Sequence, residues 1–374
     1  MKIIIAPDSF KGSLSAKEVS SLVACKAKEN FPNAEILEIP IADGGEGTLE
    51  ALMNNLDLEE IKIPVTGPDF DTIHASYAKS GDTAYIEMAK ESGICLSKKH
   101  SARLTTSQGF GEAIAHALSN GARKLYLAIG GSATNDGGMG MLRALGVRFF
   151  DENEAELEGM GENLAKIQRI DASALMPELK NAACYIICDV QNPLLGKDGA
   201  TLTYGAQKGA TEAELSALEN GMENFADCAE KEIGKTLRFA PGAGAAGGVG
   251  FALLAFANAE FCPGIETVLD IVRFNEKVRD ANLVITGEGK MDRQSAFGKA
   301  PVGVAMRSNG VPVVAMVGAI GEGFEAVYEK GISSVFSVYS DAVSLEYAME
   351  NAADMMKKAA DRMFKTIKVG MNIK

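Results

Sequence analysis

A chain of 374 residues holds enough material for two domains or one large one. Its 47% hydrophobic and 23% charged residues are those of an ordinary folded protein and exclude a disordered one. A formal net charge of −13 leaves no basic surface for a polynucleotide backbone, so nucleic acid is excluded as a partner, while backbone amides, a few lysines or a metal still suit a small anion.

The first residues, MKIIIAPDSF, contain an apolar run of four before Pro7 and Asp8, too short for a signal peptide and suited to a strand. KGSLSAKEVSSLVACKAKE then has helical periodicity, and Ser15 with Glu18 three residues on makes a capping box. AEILEIPIADGGEGTLEALMNNL repeats the order of strand, glycine loop and helix, with Asp43 and Glu46 in the loop. Two such repeats predict a parallel, doubly wound sheet. Ligands of these sheets sit beyond the carboxyl ends of the strands, so Asp8 and Asp43 are expected to share a crevice.

From Ile61 the texture changes. IHASYAKS and TAYIEMA, joined by Gly81 and Asp82, read as an antiparallel hairpin that opens a second domain. SQGFGEAIAHALSNGA is a helix ended by Gly121, and KLYLAIGG returns to the parallel sheet. It runs into GGSATNDGGMG, a loop whose glycines let backbone approach a ligand and whose tip carries Asn135 and Asp136. MLRALGV reads as a helix that aims free N–H groups at that loop. Strands follow at Gly146 to Phe150 and Ala183 to Val190, then a long irregular stretch beyond Asp189, of a kind that often carries function. Thr211 to Ile233 is an amphipathic helix. Ala240 to Ala259 is uncharged and near membrane-spanning length, but Pro241 and the glycines at 242, 244, 247, 248 and 250 make it a loop and a buried helix, and no membrane partner is expected. The remainder alternates: ANLVITGEGKMDRQS, a helix from Lys299 to Ser308, VPVVAMVGAIG, a helix, ISSVFSVYS, and a closing helix through Arg362. Gly45-Glu46-Gly47 and Gly287-Glu288-Gly289 echo one another after predicted strands.

His74, His100 and His116 show no partner spacing, and no G-x-S-x-G, H-E-x-x-H or G-x-x-x-x-G-K-[ST] occurs. The six cysteines form no C-x-x-C pair and read as free thiols of a reducing compartment. Gly242 to Gly247 satisfies G-x-G-x-x-G, which suits close packing on a helix or a phosphate cradle. Taken alone it would suggest a nicotinamide-dependent oxidoreductase of a hydroxy acid, but no ribose-binding acid follows at the expected distance. The stronger signal is the set of carboxylates at strand ends: Asp8, Asp43, Glu46, Asp136, Asp189, Glu288 and Asp292, beside Lys11, Lys197, Lys208, Lys290 and Arg293. Carboxylates hold Mg²⁺, glycine-loop amides hold phosphate, lysines neutralise transferring charge, and an aspartate can take a hydroxyl proton without histidine. The residues therefore point to a magnesium-dependent enzyme acting on a small phosphorylated or phosphate-accepting molecule. A non-catalytic organic-acid sensor would leave these carboxylates without a task.

APDSFKGSLSA, PIADGGEGT, GGSATNDGGMGML, CDVQNPLLGKDGAT, QKGA, PGAGAAGGVGFAL and TGEGKMDRQS with GKAPVGVA resemble, in order and over nearly the whole chain, the type I glycerate kinase family. Ala206 stands where that pattern has proline, a difference in loop stiffness rather than chemistry. The resemblance implies an α/β, two-domain fold: a Rossmann-like doubly wound parallel sheet plus an inserted α/β domain, with the active site in the interdomain cleft. With the element order it sets residues 1–62, 100–135 and 265–374 in the Rossmann-like domain and 63–99 and 136–264 in the inserted one. It implies ATP- and Mg²⁺-dependent phosphorylation of D-glycerate to 2-phosphoglycerate, with 3-phosphoglycerate the other possible product, in glyoxylate or sugar-acid breakdown, by a cytoplasmic monomer or homodimer.

Placement at strand ends assigns Asp189 to orient and deprotonate the glycerate hydroxyl, with Asp43 next in line. Asp43 and Glu46 are expected on Mg²⁺. Lys11, Lys290 and Arg293 are expected on the glycerate carboxylate or the transferring phosphoryl group, with Asp8, Ser9 and Asp292 completing the substrate side. Gly130, Gly131, Ser132, Thr134, Asn135 and Asp136, together with Gly242, Gly244, Gly247 and Glu288, are expected around the nucleotide.

Overall fold

The computed structural model describes residues 1–339 and 343–372. In chain order its strands are β1 (Lys2–Pro7), β2 (Glu35–Glu38), β3 (Glu59–Thr66), β4 (Thr72–Ser80), β5 (Thr83–Glu87), β6 (Lys124–Ala128), β7 (Arg148–Phe150), β8 (Arg169–Asp171), β9 (Ala183–Ile187), β10 (Glu260–Cys262), β11 (Leu283–Met291), β12 (Val313–Ile320) and β13 (Ser334–Ser337). They divide between two compact units. The first comprises Met1–Asp43, Glu50–Asp57 and Gly264–Lys374, and the second Gly44–Leu49 and Leu58–Pro263.

Unit one is built on a parallel sheet in the order β13-β12-β11-β1-β2. Ile3, Ile4 and Ile5 are all fully buried, the continuous apolar run of a parallel strand covered on both faces. The helix Ala16–Asn30 crosses from β1 to β2. Its expected cap is present: the Glu18 N–H donates to Ser15 Oγ (3.2 Å) and the Ser15 N–H to the Glu18 carboxylate (2.8 Å). Val19, Val23 and Ala27 on that helix share one core with Met356, Ala360 and Phe364 of the helix Ala352–Asn372. Numbered within the unit, the strand order is 2-1-3-4-5, so the order reverses between β1 and β11. That reversal creates a crevice at the carboxyl ends of these two strands.

Unit two carries a mixed sheet in the order β10-β9-β6-β5-β4-β3, antiparallel through β3, β4 and β5 and parallel from β5 to β10, with β7 and β8 as a separate pair. Ala84, Ile86, Leu125, Leu127, Cys184 and Ile186 alternate onto one face and enter a common core. On the opposite face Tyr85, Tyr126 and Tyr185 lie in register and stack at 5.3 Å, with Lys124 over the last two rings.

The hairpin at Gly81 and Asp82 is as expected. Residues 100–135, expected in the Rossmann-like domain, instead belong to unit two, because β6 bonds to β5 and β9 and buries Leu125 and Leu127 with their core. An apolar strand pattern does not say which of two parallel sheets it joins. β11 runs on to Met291, so Gly287, Glu288 and Gly289 lie inside a strand rather than after one. The helix beyond the Gly130 loop has only six residues, Met139–Ala144. A 3₁₀ segment, Phe324–Lys330, replaces the helix expected before β13, and the closing helix extends to Asn372. Ser340, the end of the expected strand ISSVFSVYS, lies outside the described residues. Among those residues no helix is long and apolar enough to cross a membrane; the uncharged stretch after Ala240 forms turns and the buried helix Val249–Phe256.

Candidate active site

Unit one has a cavity of about 450 Å³ at the crevice where its strand order reverses. Asp8, Ser9, Lys11, Asp43, Glu288, Lys290 and Lys299 make its polar lining, and Phe10, Leu14, Val338, Met349 and Met356 its apolar lining. Asp8 follows β1 and is buried, its Oδ1 accepting the Ser9 N–H at 2.6 Å. Burial pushes the Asp8 carboxyl up to about 7, reinforced by Asp43 and Glu288 and opposed by the Ser9 N–H and by Lys11. Glu288, on β11, accepts the Ser295 hydroxyl at 2.6 Å and has Lys299 Nζ 3.6 Å from its other oxygen. Burial nonetheless raises it above the usual carboxylate range. Lys290 is exposed and pairs with Asp292 at 3.2 Å.

The structure brings Asp8, Ser9, Lys11, Asp43 and Lys290 into the lining of one cavity, and adds Glu288, which was expected around the nucleotide. Asp292 and Arg293 do not line this cavity. Asp292 caps the 3₁₀ turn Arg293–Phe297 through the Gln294 N–H (3.0 Å), and the Arg293 N–H donates to the Glu322 carbonyl. Among the described residues no group of three or more His, Cys, Asp or Glu side chains is arranged as a metal cage.

In unit two the carboxyl ends of β6 and β9 open onto a pocket of about 280 Å³, lined by Ile94, Ile129, Gly130, Gly131, Ser132, Cys188, Val190, Tyr204, Gln207, Lys208 and Ala246. Lys208 is buried there, its Nζ donating to Ser132 Oγ (2.8 Å) and to the Thr134 carbonyl (2.7 Å). Burial pushes this lysine down to about 7, with Asp136 opposing. Asp189 is exposed and stands between two lining residues, Cys188 and Val190.

The loop tip is turned inward. Asp136 is fully buried and accepts the N–H groups of Ser107, Gly138 and Gly140 and the Ser107 hydroxyl, at 2.7 to 3.1 Å. Its carboxylate therefore closes the loop rather than facing a ligand, and it takes up the Gly138 and Gly140 amides of that loop. Asn135 is likewise buried and donates to Thr201 Oγ1 (3.1 Å). In the second glycine loop, a Cβ at Gly242 would strike the Phe261 ring, one at Gly244 the Pro193 carbonyl, and one at Gly247 the Thr134 carbonyl oxygen at 2.0 Å. These glycines buttress the chain's own backbone, and the Gly137 N–H donates to the Gly247 carbonyl (2.9 Å). The element before them is the helix Glu212–Ile233, not a strand, so the dinucleotide pattern is not met. Glu46, expected beside Asp43, lines a separate unit-two cavity of about 480 Å³ with Lys62, His74, Glu87 and Lys90.

Residues 3–368 match the model of the glycerate kinase family. The chain belongs to the glycerate kinase family. It is 46% identical to a glycerate kinase of Bacillus subtilis (strain 168), covering 99% of this chain and 98% of the relative, and 43% identical to a glycerate 2-kinase of Escherichia coli (strain K12), covering 99% of each. Over their full lengths it also resembles a crystal structure assigned as glycerate kinase 2 from Salmonella typhimurium LT2, with a TM-score of 0.86 and 39% identity. Glycerate kinase membership makes the chain a kinase, a phosphotransferase. Within that family fold, Lys208 is the group that the sequence set among the candidate cations without a role and that the structure makes a buried pocket residue. A lysine is by default a surface residue; the local signal for this one is the Gly209 that follows it in the QKGA block.

Proposed function

We propose that the protein transfers the γ-phosphoryl group of ATP, as a magnesium complex, to D-glycerate and yields 2-phosphoglycerate, in the cytoplasm and within organic-acid breakdown. The observation that carries this reading, beside the family, is the unit-one cavity, whose lining combines three carboxylates and three lysines with apolar side chains. An amphipathic cavity of that size suits a nucleotide better than a three-carbon acid, with the base on Phe10, Leu14 and Met349 and the phosphates toward Lys11, Lys290 and Lys299.

Mg²⁺ fits Asp43, Asp8 and Glu288. Burial first, and then repulsion from Asp43 and Glu288, raises Asp8, and a divalent cation would offset both. Mg²⁺ commonly takes only one or two carboxylates and completes its shell with phosphate and water, so the lack of an all-protein cage is no obstacle. When bound, the ion would neutralise charge on the phosphoryl oxygens. Glycerate is assigned to the smaller unit-two pocket, where Asp189 follows β9 and takes the proton of the attacking hydroxyl. This reverses the placement expected from sequence, which put the nucleotide on the Gly130 loop.

The test is ADP release in a coupled assay with ATP, Mg²⁺ and D-glycerate, with ³¹P NMR of the product. A 2-phosphoglycerate resonance is expected. Folded protein that releases no glycerate-dependent ADP would overturn the reading, and a 3-phosphoglycerate signal would overturn the position of attack.

A further inference from the structure

We propose that Lys208 is the cation of an oxyanion pocket at the carboxyl ends of β6 and β9, and that the oxyanion is the carboxylate of the hydroxy-acid acceptor. The inference rests on the kinase reading above and adds a binding residue to it. An ammonium group has three donors. Lys208 spends two on neutral acceptors, Ser132 Oγ and the Thr134 carbonyl, and the third meets no protein acceptor among the described residues. Asp136 is the carboxylate that acts on it, but that carboxylate is already bonded by the Ser107, Gly138 and Gly140 amides and the Ser107 hydroxyl. A buried cation without a contacting counter-ion is costly, and a ligand anion would remove the cost.

The backbone is shaped to put it there. The turn Ala206–Lys208 ends at Gly209, with φ of 88°, and a Cβ at Gly209 would stand 1.6 Å from the His100 carbonyl oxygen. Only glycine docks so closely, and this docking fixes the turn that carries Lys208 into the pocket. Ala206 is the first residue of the turn, a position that also accepts proline. At about 280 Å³ the pocket lies just below the roughly 300–1,000 Å³ of sites for drug-sized ligands, which suits a three-carbon acid.

The titratable groups around Lys208 are Asp136, from the loop after β6, with Cys188, after β9, and Tyr204, from the helix Ala200–Tyr204, in the same lining. Because burial holds the free lysine at about 7, anion binding above that pH must take up a proton.

Full-length wild type and Lys208→Met are titrated by calorimetry with D-glycerate and, separately, with ADP, and their thermal unfolding is compared. Lys208→Met is expected to lose glycerate affinity by about 10- to 100-fold, the range of a charged hydrogen bond. ADP affinity and the melting temperature should be retained. Wild-type glycerate affinity should fall by about tenfold per pH unit above about 7, and that dependence should vanish in the variant. Lost ADP affinity with unaltered glycerate affinity would make the anion a nucleotide phosphate and overturn the carboxylate assignment. Unaltered affinity for both overturns the site altogether. If Lys208→Met does not fold, Lys208→Gln is titrated under the same criteria. Wild type that turns over glycerate while the variant binds like it sinks Lys208 alone; wild type that neither binds nor turns over glycerate sinks the kinase reading beneath it.

Discussion

The two units end parallel strands in cavities of opposite character. In unit one, Asp8, Asp43 and Glu288 crowd one side of a cavity and burial holds Asp8 up at about 7; in unit two, a single buried lysine is held down to about 7 with no carboxylate in contact. The physical cause is shared, since desolvation penalises whichever form is charged. The consequence differs. A crowd of acids is relieved by a cation, a solitary buried ammonium by an anion, and the proposed reaction, between a magnesium nucleotide and an acidic acceptor, has a use for each.

Asp189→Asn gives the largest expected effect. If Asp189 takes the hydroxyl proton, turnover falls by roughly 10²–10⁴ while glycerate binding and folding persist. Near wild-type kcat would move proton transfer elsewhere and leave unit two with binding alone. Asp8→Asn comes next, with kcat down by roughly 10²–10³ as the unit-one cluster loses a charge. Its melting temperature should hold or rise, because one of three crowded carboxylates has been neutralised. A folded Asp8→Asn enzyme with full activity would make the acid cluster a bystander and erase the contrast.

A smaller, structural effect tests how the lysine pocket is held. Gly247 sits at φ of 67° with the Thr134 carbonyl oxygen 2.0 Å from where a Cβ would be, and that same carbonyl anchors Lys208. Gly247→Ala should cost about 2–5 kcal/mol, combining overpacking with a left-handed alanine. Urea unfolding measures it, and glycerate affinity should fall more than ADP affinity. An unchanged midpoint would show that the two loops are not interlocked.

How far the sequence is legible follows from what each residue's neighbours had to supply. The capping box at Ser15 and Glu18, the Gly81-Asp82 hairpin and the strand after Met1 are local, and they were readable because helix caps, turns and apolar runs depend on residues a few positions apart. Asp8 and Asp43 were set in one crevice by a topological rule about strand ends, which sequence order alone supports, whereas Glu288 joins them from inside β11. What sequence could not supply was long-range. The sheet that β6 joins depends on hydrogen bonds to β5 and β9, and the inward turn of Asp136 depends on Ser107, 29 residues away. The glycines at 242, 244 and 247 looked like a phosphate cradle because close approach to a ligand and close approach to one's own backbone require the same residue. Lys208 was in view among the cations, but its burial was hidden for the complementary reason: Gly209 docks against His100, over a hundred residues earlier in the chain.

The smallest expected effect separates acids bonded to other residues from one that, among the described residues, is not. Glu91, on the short helix Ala89–Ser92 of unit two, is fully buried, and among the described residues its carboxylate meets no hydrogen-bond partner in another residue. Burial, then the neighbouring Glu87, raises it well above 4.5, with Lys90 opposing. A folded-state value above the unfolded one means that the folded protein binds more protons from 4.5 upward. The stability Glu91 contributes is therefore fully present below 4.5 and is lost as pH rises through the raised folded value. Glu91→Gln keeps the shape but cannot ionise, so its urea midpoint should fall less than that of wild type between pH 5 and pH 8, and should be the higher of the two at pH 8. Parallel pH profiles would mean that Glu91 ionises at no cost, which requires a cation beside it. Unit two would then carry an acidic site as well as a basic one, and the contrast drawn between the units would give way.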